Sequence, residues 1–200
     1  MVEPSVSGKS QYTVTDGTGD RIYPGRSLVS AEAIRTRVAQ LADEILNSYK
    51  ERPAELVIVA IMTGAMMFLA DLVRAIRLPT RIGIMMISSY PGPATQSQGV
   101  RLVCDVEAAV EGKDVVILDD ILETGRTLAK AVGQIRGRRP RSVKTCVLLE
   151  KEQPQPPEVA PDFIGFVIPD EFVVGYGLDY DNLFRNYPEI AVLERDRHGG

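Results

Sequence analysis

The sequence predicts an α/β fold built around a mostly parallel sheet. Two observations carry that expectation. Short unbroken apolar runs rich in β-branched residues recur along the chain, the pattern of strands buried on both faces. Between them lie segments whose apolar positions fall at helical spacing, so that strand and helix alternate as a sheet flanked by helices requires.

Taken in order, residues 1–20 are rich in Gly, Ser and Thr and are expected to be flexible, with a single domain over 21–200. From Ala31 to Lys50 the apolar positions Ile34, Val38, Leu41 and Ile45 predict a helix, with Ser30 as its N-cap and Arg52-Pro53 as its end. LVIVAIM, Leu56–Met62, is the first buried strand, after which Thr63-Gly64 turns the chain into a helix over Ala65–Ile76. A second strand, Arg81–Ser88, leads into SSYPGPATQSQG, too rich in Gly, Pro and Ser for regular structure. VRLVCDV resumes a strand, and DVVIL, Asp114–Leu118, is another buried one. Thr127–Arg136 reads as helix and Val143–Leu149 as strand. Ligands of such sheets sit beyond the carboxyl ends of the strands. The residues after Met62, Leu118 and Leu149 are therefore where chemistry is expected.

Composition narrows the chemistry. The 200 residues are 44% hydrophobic and 25% charged, as in an ordinary globular protein. No apolar run approaches the roughly 20 residues of a membrane span, and the polar N-terminus lacks the apolar core of a secretion signal. The cytoplasm is the expected compartment, and Cys104 and Cys146, each in an apolar run, are expected to be reduced core residues. A net charge of −4 argues against a surface that coats nucleic acid. The basic cluster Arg136, Arg138, Arg139 and Arg141 is most simply a solvated helix end and loop. The one histidine, His198, lies in the tail, which excludes a Ser-His-Asp triad and a His-rich zinc site. Acid–base chemistry must come from carboxylates, Lys, Tyr or water.

After DVVIL the chain reads Asp119-Asp120-Ile121-Leu122-Glu123-Thr124-Gly125-Arg126-Thr127 and then turns helical. Three carboxylates in five residues are costly to hold together unless cations or hydroxyl donors meet them. Two threonine hydroxyls, a glycine and the free amides of a helix start follow at once, a combination that suits a phosphate. A Walker loop is excluded, because GxxxxGK is absent. The plain alternative is an acidic N-cap followed by a Thr-Gly turn.

This string closely resembles the PRPP-binding signature of type I phosphoribosyltransferases. PDFIGFVIPDEFVVGYGLDY, Pro161–Tyr180, followed by Arg185, looks like the C-terminal purine-binding region of the hypoxanthine-guanine members. VAIMTGAMMFLADL and ISSYPGPATQSQG match their pyrophosphate loop and lid. The resemblance runs from about Leu28 to Leu193. It implies the type I phosphoribosyltransferase fold, with a small hood and a mobile lid loop, and transfer of phosphoribose from PRPP to a 6-oxopurine with Mg²⁺. Carried over by position, Asp119 and Asp120 hold the ribose hydroxyls, directly or through Mg²⁺ waters, and Asp179 is the second metal carboxylate. Glu123 is the acid–base group near purine N7, and Thr124, Gly125, Arg126 and Thr127 wrap the 5-phosphate. Thr63, Gly64 and Arg185 meet pyrophosphate. Lys151 donates to the 6-oxo group, Phe172 stacks on the base, and the Val173 backbone reads its edge. Ser89 and Tyr90 belong to the lid. Taken alone, Lys151 would read as a solvated strand-end lysine and Phe172 as core; Tyr176 and Tyr180 read as core or subunit contacts. The resemblance also implies a homodimer or homotetramer.

Two residues depart from the family pattern. Glu123 stands where aspartate is usual, which moves the carboxylate out by one methylene. Thr63 stands where the pyrophosphate loop usually carries lysine, often at a non-proline cis peptide. These departures motivate one alternative, a PRPP-sensing regulator with weak catalysis; a xanthine-preferring enzyme is the other, because the purine 2-position is read largely by backbone and water.

Overall fold

The computed structural model describes residues 11–50, 56–88, 101–104 and 110–196. Ser89 and Tyr90, expected in the lid, lie outside them, as does His198. The chain divides into two units, residues 35–170 and residues 1–34 with 171–200.

In the smaller unit, β1 (Val14–Thr15), β2 (Arg21–Val29), β9 (Val173–Val174) and β10 (Ile190–Asp196) form an antiparallel sheet in the order β1-β2-β10-β9. This is the hood. Ile22, Val174 and Phe184 make its buried centre, with Tyr12, Val14, Tyr180 and Leu193 packed around them. β1 lies inside the N-terminal stretch expected to be flexible. Asp16 turns the chain behind it, accepting from the amides of Thr18 and Asp20 and from the Thr18 hydroxyl, and so delivers Val14 and Thr15 into register with Ile22 and Arg21. Helix α1 (Ala31–Ser48) is capped by Ser30, whose Oγ accepts from the Ala33 amide at 3.2 Å, and it buries Ile34, Val38, Leu41 and Ile45 as its periodicity predicts.

The larger unit carries the main sheet: β3 (Leu56–Met62), β4 (Arg81–Ser88), β5 (Arg101–Cys104), β6 (Asp114–Leu122), β7 (Ser142–Lys151) and β8 (Phe163–Ile168), in the order β5-β4-β3-β6-β7-β8. All neighbours are parallel except β4 and β5. Helix α2 (Met66–Ala75) joins β3 to β4, and α3 (Arg126–Arg136) joins β6 to β7. From β3 the chain moves to one side of the sheet, and from β6 to the other. The gap between them is the topological switch point, where sheets of this class bind ligands. Val57, Val59, Val115, Ile117 and Val147 form the core on the face that also buries Leu128, Ala131 and Ile135 of α3. Among the described residues no helix is long and apolar enough to cross a membrane.

Two expectations are corrected here. β6 does not stop at Leu118 but runs to Leu122, because β7 continues beside it and pairs Asp119 with Val147 and Leu122 with Glu150. Asp119 and Asp120 are therefore strand residues. The basic cluster is not wholly solvated either. The Arg141 guanidinium grips Asp114 at the start of β6, Nη2 to Oδ2 at 2.5 Å and Nε to Oδ1 at 3.0 Å, and the Ser142 hydroxyl donates to the same carboxylate at 2.7 Å. A buried acid held this way is satisfied, and removing its cation strands a charge. Arg141→Ala is expected to cost about 2–3 kcal/mol in urea unfolding, below the roughly 3–5 kcal/mol of a fully buried broken pair because the arginine is partly solvated. A shift within about 0.5 kcal/mol would refute the role given to this pair.

Candidate active site

Parallel pairing of β3 with β6 holds from Leu56 with Asp114 to Ala60 with Leu118 and then ends. Beyond it β3 leads into the Met62–Thr63 peptide, which is cis, while β6 continues along β7. Two loops thus leave the sheet side by side. Their contact is close: a methyl group added at Gly64 would lie 1.7 Å from Oδ2 of Asp120. Only glycine lets the Asp120 carboxylate sit against that backbone. Thr63 is exposed beside it.

Asp119 is only 5% exposed and accepts from the Asp120 amide at 3.2 Å. Burial first, and the neighbouring Asp120 charge second, push its carboxyl well above the usual carboxylate range. An acid pair of this kind offers hard oxygen donors to a divalent cation, which would relieve both terms. Among the described residues no cluster of three or more His, Cys, Asp or Glu side chains could hold a metal by itself. A cation here needs oxygens from water or a ligand.

The chain from Glu123 to Thr127 bends over the start of α3. Gly125 takes φ +76° at the helix N-cap, a conformation suited to glycine, and no side chain caps the helix. Its first amides are left to a ligand, at the positive end of the helix dipole. Residues 119–128 line a cleft of about 230 Å³ there. The segment after β7 covers the outer side: the Glu158 amide donates to the Thr124 carbonyl at 3.0 Å, and a methyl at Gly125 would meet that amide nitrogen at 2.9 Å. Arg126 faces Glu158 at 3.4 Å, with both side chains exposed.

Lys151 closes β7. Its side chain is 9% exposed, and its Nζ lies 2.5 Å from Oε1 of Glu123 and 3.3 Å from Oδ1 of Asp170. It is therefore not the solvated strand-end lysine its sequence context alone suggests. Burial by itself would lower its pKa, but the Glu123 and Asp170 carboxylates outweigh that and raise it. Asp170 was not among the sequence-predicted site residues. Its place comes from the β7–β8 register, which pairs Lys151 with Ile168, and no local motif announces it.

Within the hood, Phe172 is 54% exposed and packs edge-on to Tyr180, so it is not a core residue. Tyr176, by contrast, is buried. Val173 opens β9, paired with Val192 of β10. Arg185 donates to Oδ1 of Asp179 at 2.7 Å, to Oδ1 of Asn182 at 3.0 Å and to the Gly177 carbonyl at 2.6 Å. The two hood residues expected to meet pyrophosphate and metal are thus bound to each other.

Asp119 generates a prediction with a definite sign. Its pKa is raised on folding, so this carboxyl costs the free protein nothing below the ordinary Asp value and destabilises it progressively as pH climbs from there to the raised value. Asn carries no such charge. With divalent ions chelated, Asp119→Asn is expected to melt higher than wild type at about pH 8, with the gain fading toward about pH 4. A lower melting temperature at the higher pH would contradict the burial argument.

The phosphoribosyl transferase domain model matches residues 26–181. Hypoxanthine-guanine phosphoribosyltransferase of Mycobacterium tuberculosis is 38% identical over 194 residues, which cover 93% of this chain and 96% of that protein. The crystal structure of a hypoxanthine phosphoribosyltransferase from Staphylococcus aureus superposes with a TM-score of 0.78 at 36% identity, covering 86% of this chain and 92% of that one. A Trypanosoma cruzi hypoxanthine phosphoribosyltransferase complexed with the product IMP gives 0.78 at 37%, with 86% and 92% covered. Switch-point acids, an uncapped helix start after Thr124-Gly125, and likeness over nearly the whole chain agree: this chain belongs to the phosphoribosyltransferase family, in its hypoxanthine-guanine branch.

Proposed function

We propose that this chain transfers the 5-phosphoribosyl group from PRPP to hypoxanthine or guanine, giving IMP or GMP and pyrophosphate in purine salvage. The observation that carries this reading is the Asp120 carboxylate seated against Gly64, beside the open amide end of α3, at the switch point of a parallel sheet.

The amides of Arg126, Thr127 and Leu128, with the Thr124 and Thr127 hydroxyls, suit the 5-phosphate. Asp119 and Asp120 suit the ribose hydroxyls and Mg²⁺, and Asp179 is the second carboxylate proposed for the metal. When bound, Mg²⁺ supplies positive charge to the leaving pyrophosphate. Thr63 and Gly64 offer that group a neutral loop, so Arg185 remains as its proposed arginine partner. The C1–O bond to pyrophosphate breaks, the C1–N9 bond to the base forms, and the proton lost by the base passes to Glu123. Lys151 donates to the 6-oxo oxygen, while Phe172 and the Val173 backbone remain the proposed base contacts. Ser89 and Tyr90 remain proposed lid residues that keep water from the ribose cation. A homodimer or homotetramer in the cytoplasm, and one domain over 21–200, complete the proposal.

The deciding assay is nucleotide formation from PRPP and Mg²⁺ with hypoxanthine, guanine, xanthine and adenine in parallel. Rapid IMP or GMP formation is expected. Product from xanthine alone would support the xanthine-preferring alternative, and absence of product with every base would support the regulator. Gly64→Ala tests the geometry, since its methyl must displace Asp120 by more than an ångström. It is expected to lower IMP formation about 100-fold with an unchanged circular dichroism spectrum.

A further inference from the structure

A nearly buried ammonium needs anions around it, because an unpaired charge in that position would shift its pKa or destabilise the fold. Lys151 has two, and they differ in how they are held. Both side chains are about half exposed, and the difference lies in the backbone: Glu123 sits in the loop between β6 and α3. As the proposed proton acceptor it must leave Lys151 and turn to the purine when base binds. If it were the only counter-ion, base binding would strip the lysine of its partner at the moment the lysine is needed.

Asp170 is held by the sheet. The β7–β8 ladder ends at Lys151 with Ile168, and the Glu152 amide donates to the Ile168 carbonyl at 2.9 Å. Pro169 follows, whose fixed φ and missing N–H stop the strand, and the next residue is Asp170, with Oδ1 3.3 Å from Nζ. Backbone pairing and a proline fix where Asp170 leaves the sheet; its side chain, 57% exposed, reaches Nζ from there, and nothing in the proposed reaction asks it to move.

We propose that Asp170 is the positioning residue for Lys151, the standing counter-ion that keeps its ammonium charged and aimed when Glu123 leaves it for the purine. The proposal rests on the function inferred above and adds a division of labour between two carboxylates: Glu123 is exchanged for substrate and Asp170 is retained. Without Asp170, Glu123 is the one carboxylate left to Lys151 among the described residues, and the oxopurine must compete with it.

The test compares wild type, Asp170→Asn, Asp170→Glu and Lys151→Ala as full-length chains. Steady-state KM values are measured for hypoxanthine and for PRPP, and limited acylation of Lys151 by an amine-reactive ester is read by mass spectrometry. Asp170→Asn is expected to raise the hypoxanthine KM about fivefold, a milder copy of Lys151→Ala, while the PRPP KM stays within about twofold. Acylation of Lys151 should rise roughly threefold as the ammonium loses one of its two anions, and Asp170→Glu should restore both readings in part. Equal rises in both KM values, or unchanged Lys151 acylation in Asp170→Asn, would overturn the role given to Asp170 even in an active enzyme. A wild type that makes no nucleotide from any 6-oxopurine would overturn the function beneath it.

Discussion

β3 and β6 are hydrogen-bonded in parallel for five residues each, ending at Ala60 and Leu118, and their separation beyond that point makes the site possible. Parallel neighbours deliver their carboxyl ends to one edge of the sheet, and chain paths that diverge there leave a crevice that no side chain of the core fills. Every later feature depends on that divergence. It brings Gly64 under Asp120, and it lets β6 continue along β7 alone, which carries Asp119 and Asp120 as strand residues with fixed backbone rather than as loop acids. The same extension of β7 brings Lys151 up to Glu123.

The two ends of β6 show how one residue type serves two purposes. Asp114 at its start is enclosed by Arg141 and Ser142, its charge compensated in place. Asp119 near its end faces another carboxylate, and its proton is held more tightly as a result. The charge of the first is compensated in place; that of the second is not, as suits the role proposed for it toward a cation or hydroxyl donor. In the larger unit Lys151 is engaged with Glu123 and Asp170 and Arg126 with Glu158, and within the hood Arg185 is engaged with Asp179. The Arg126–Glu158 pair, with both side chains exposed, contributes about 0–1 kcal/mol, so a charged ligand can exchange it readily. The extra methylene of Glu123 belongs to this picture, since that carboxylate meets Lys151 at 2.5 Å.

Much of the larger unit was legible because buried parallel strands write continuous apolar runs. β3 and β4 fall at the expected residues, and α3 begins one residue early. The errors have a common cause. β6 and β7 extend past their apolar cores on backbone pairing alone, which leaves no compositional trace in Asp119–Leu122 or Glu150–Lys151. The hood strands were not read as strands because β2 contains Pro24-Gly25 and its ladder with β10 is irregular, breaking the alternation that marks an antiparallel strand. Gly165 in β8 reads as a turn residue, yet it is required there because a methyl would approach the Leu148 carbonyl to 2.3 Å. The acids and glycine of the phosphate loop were legible as local chemistry. Asp170 was not, since its meaning lies in which strand β8 pairs with.

The distribution of cost separates the enzyme from the PRPP-sensing alternative. Recognition of PRPP as proposed above would use the acid pair and the helix start, and would ask nothing of Lys151. Yet the chain buries that ammonium to 9% exposure and commits two carboxylates to it, an arrangement that a well-packed apolar residue could replace at equal or better stability. A sensor of PRPP has no use for such a device. A protein that must tell a 6-oxo oxygen from a 6-amino group does, because a fixed, charged donor at that point rewards the one and finds no acceptor on the other. Under the proposed function the pairing of Lys151 with Glu123 has a further consequence: a base that accepts from the lysine would release the carboxylate proposed to take its proton, which would join recognition and chemistry through one ion pair.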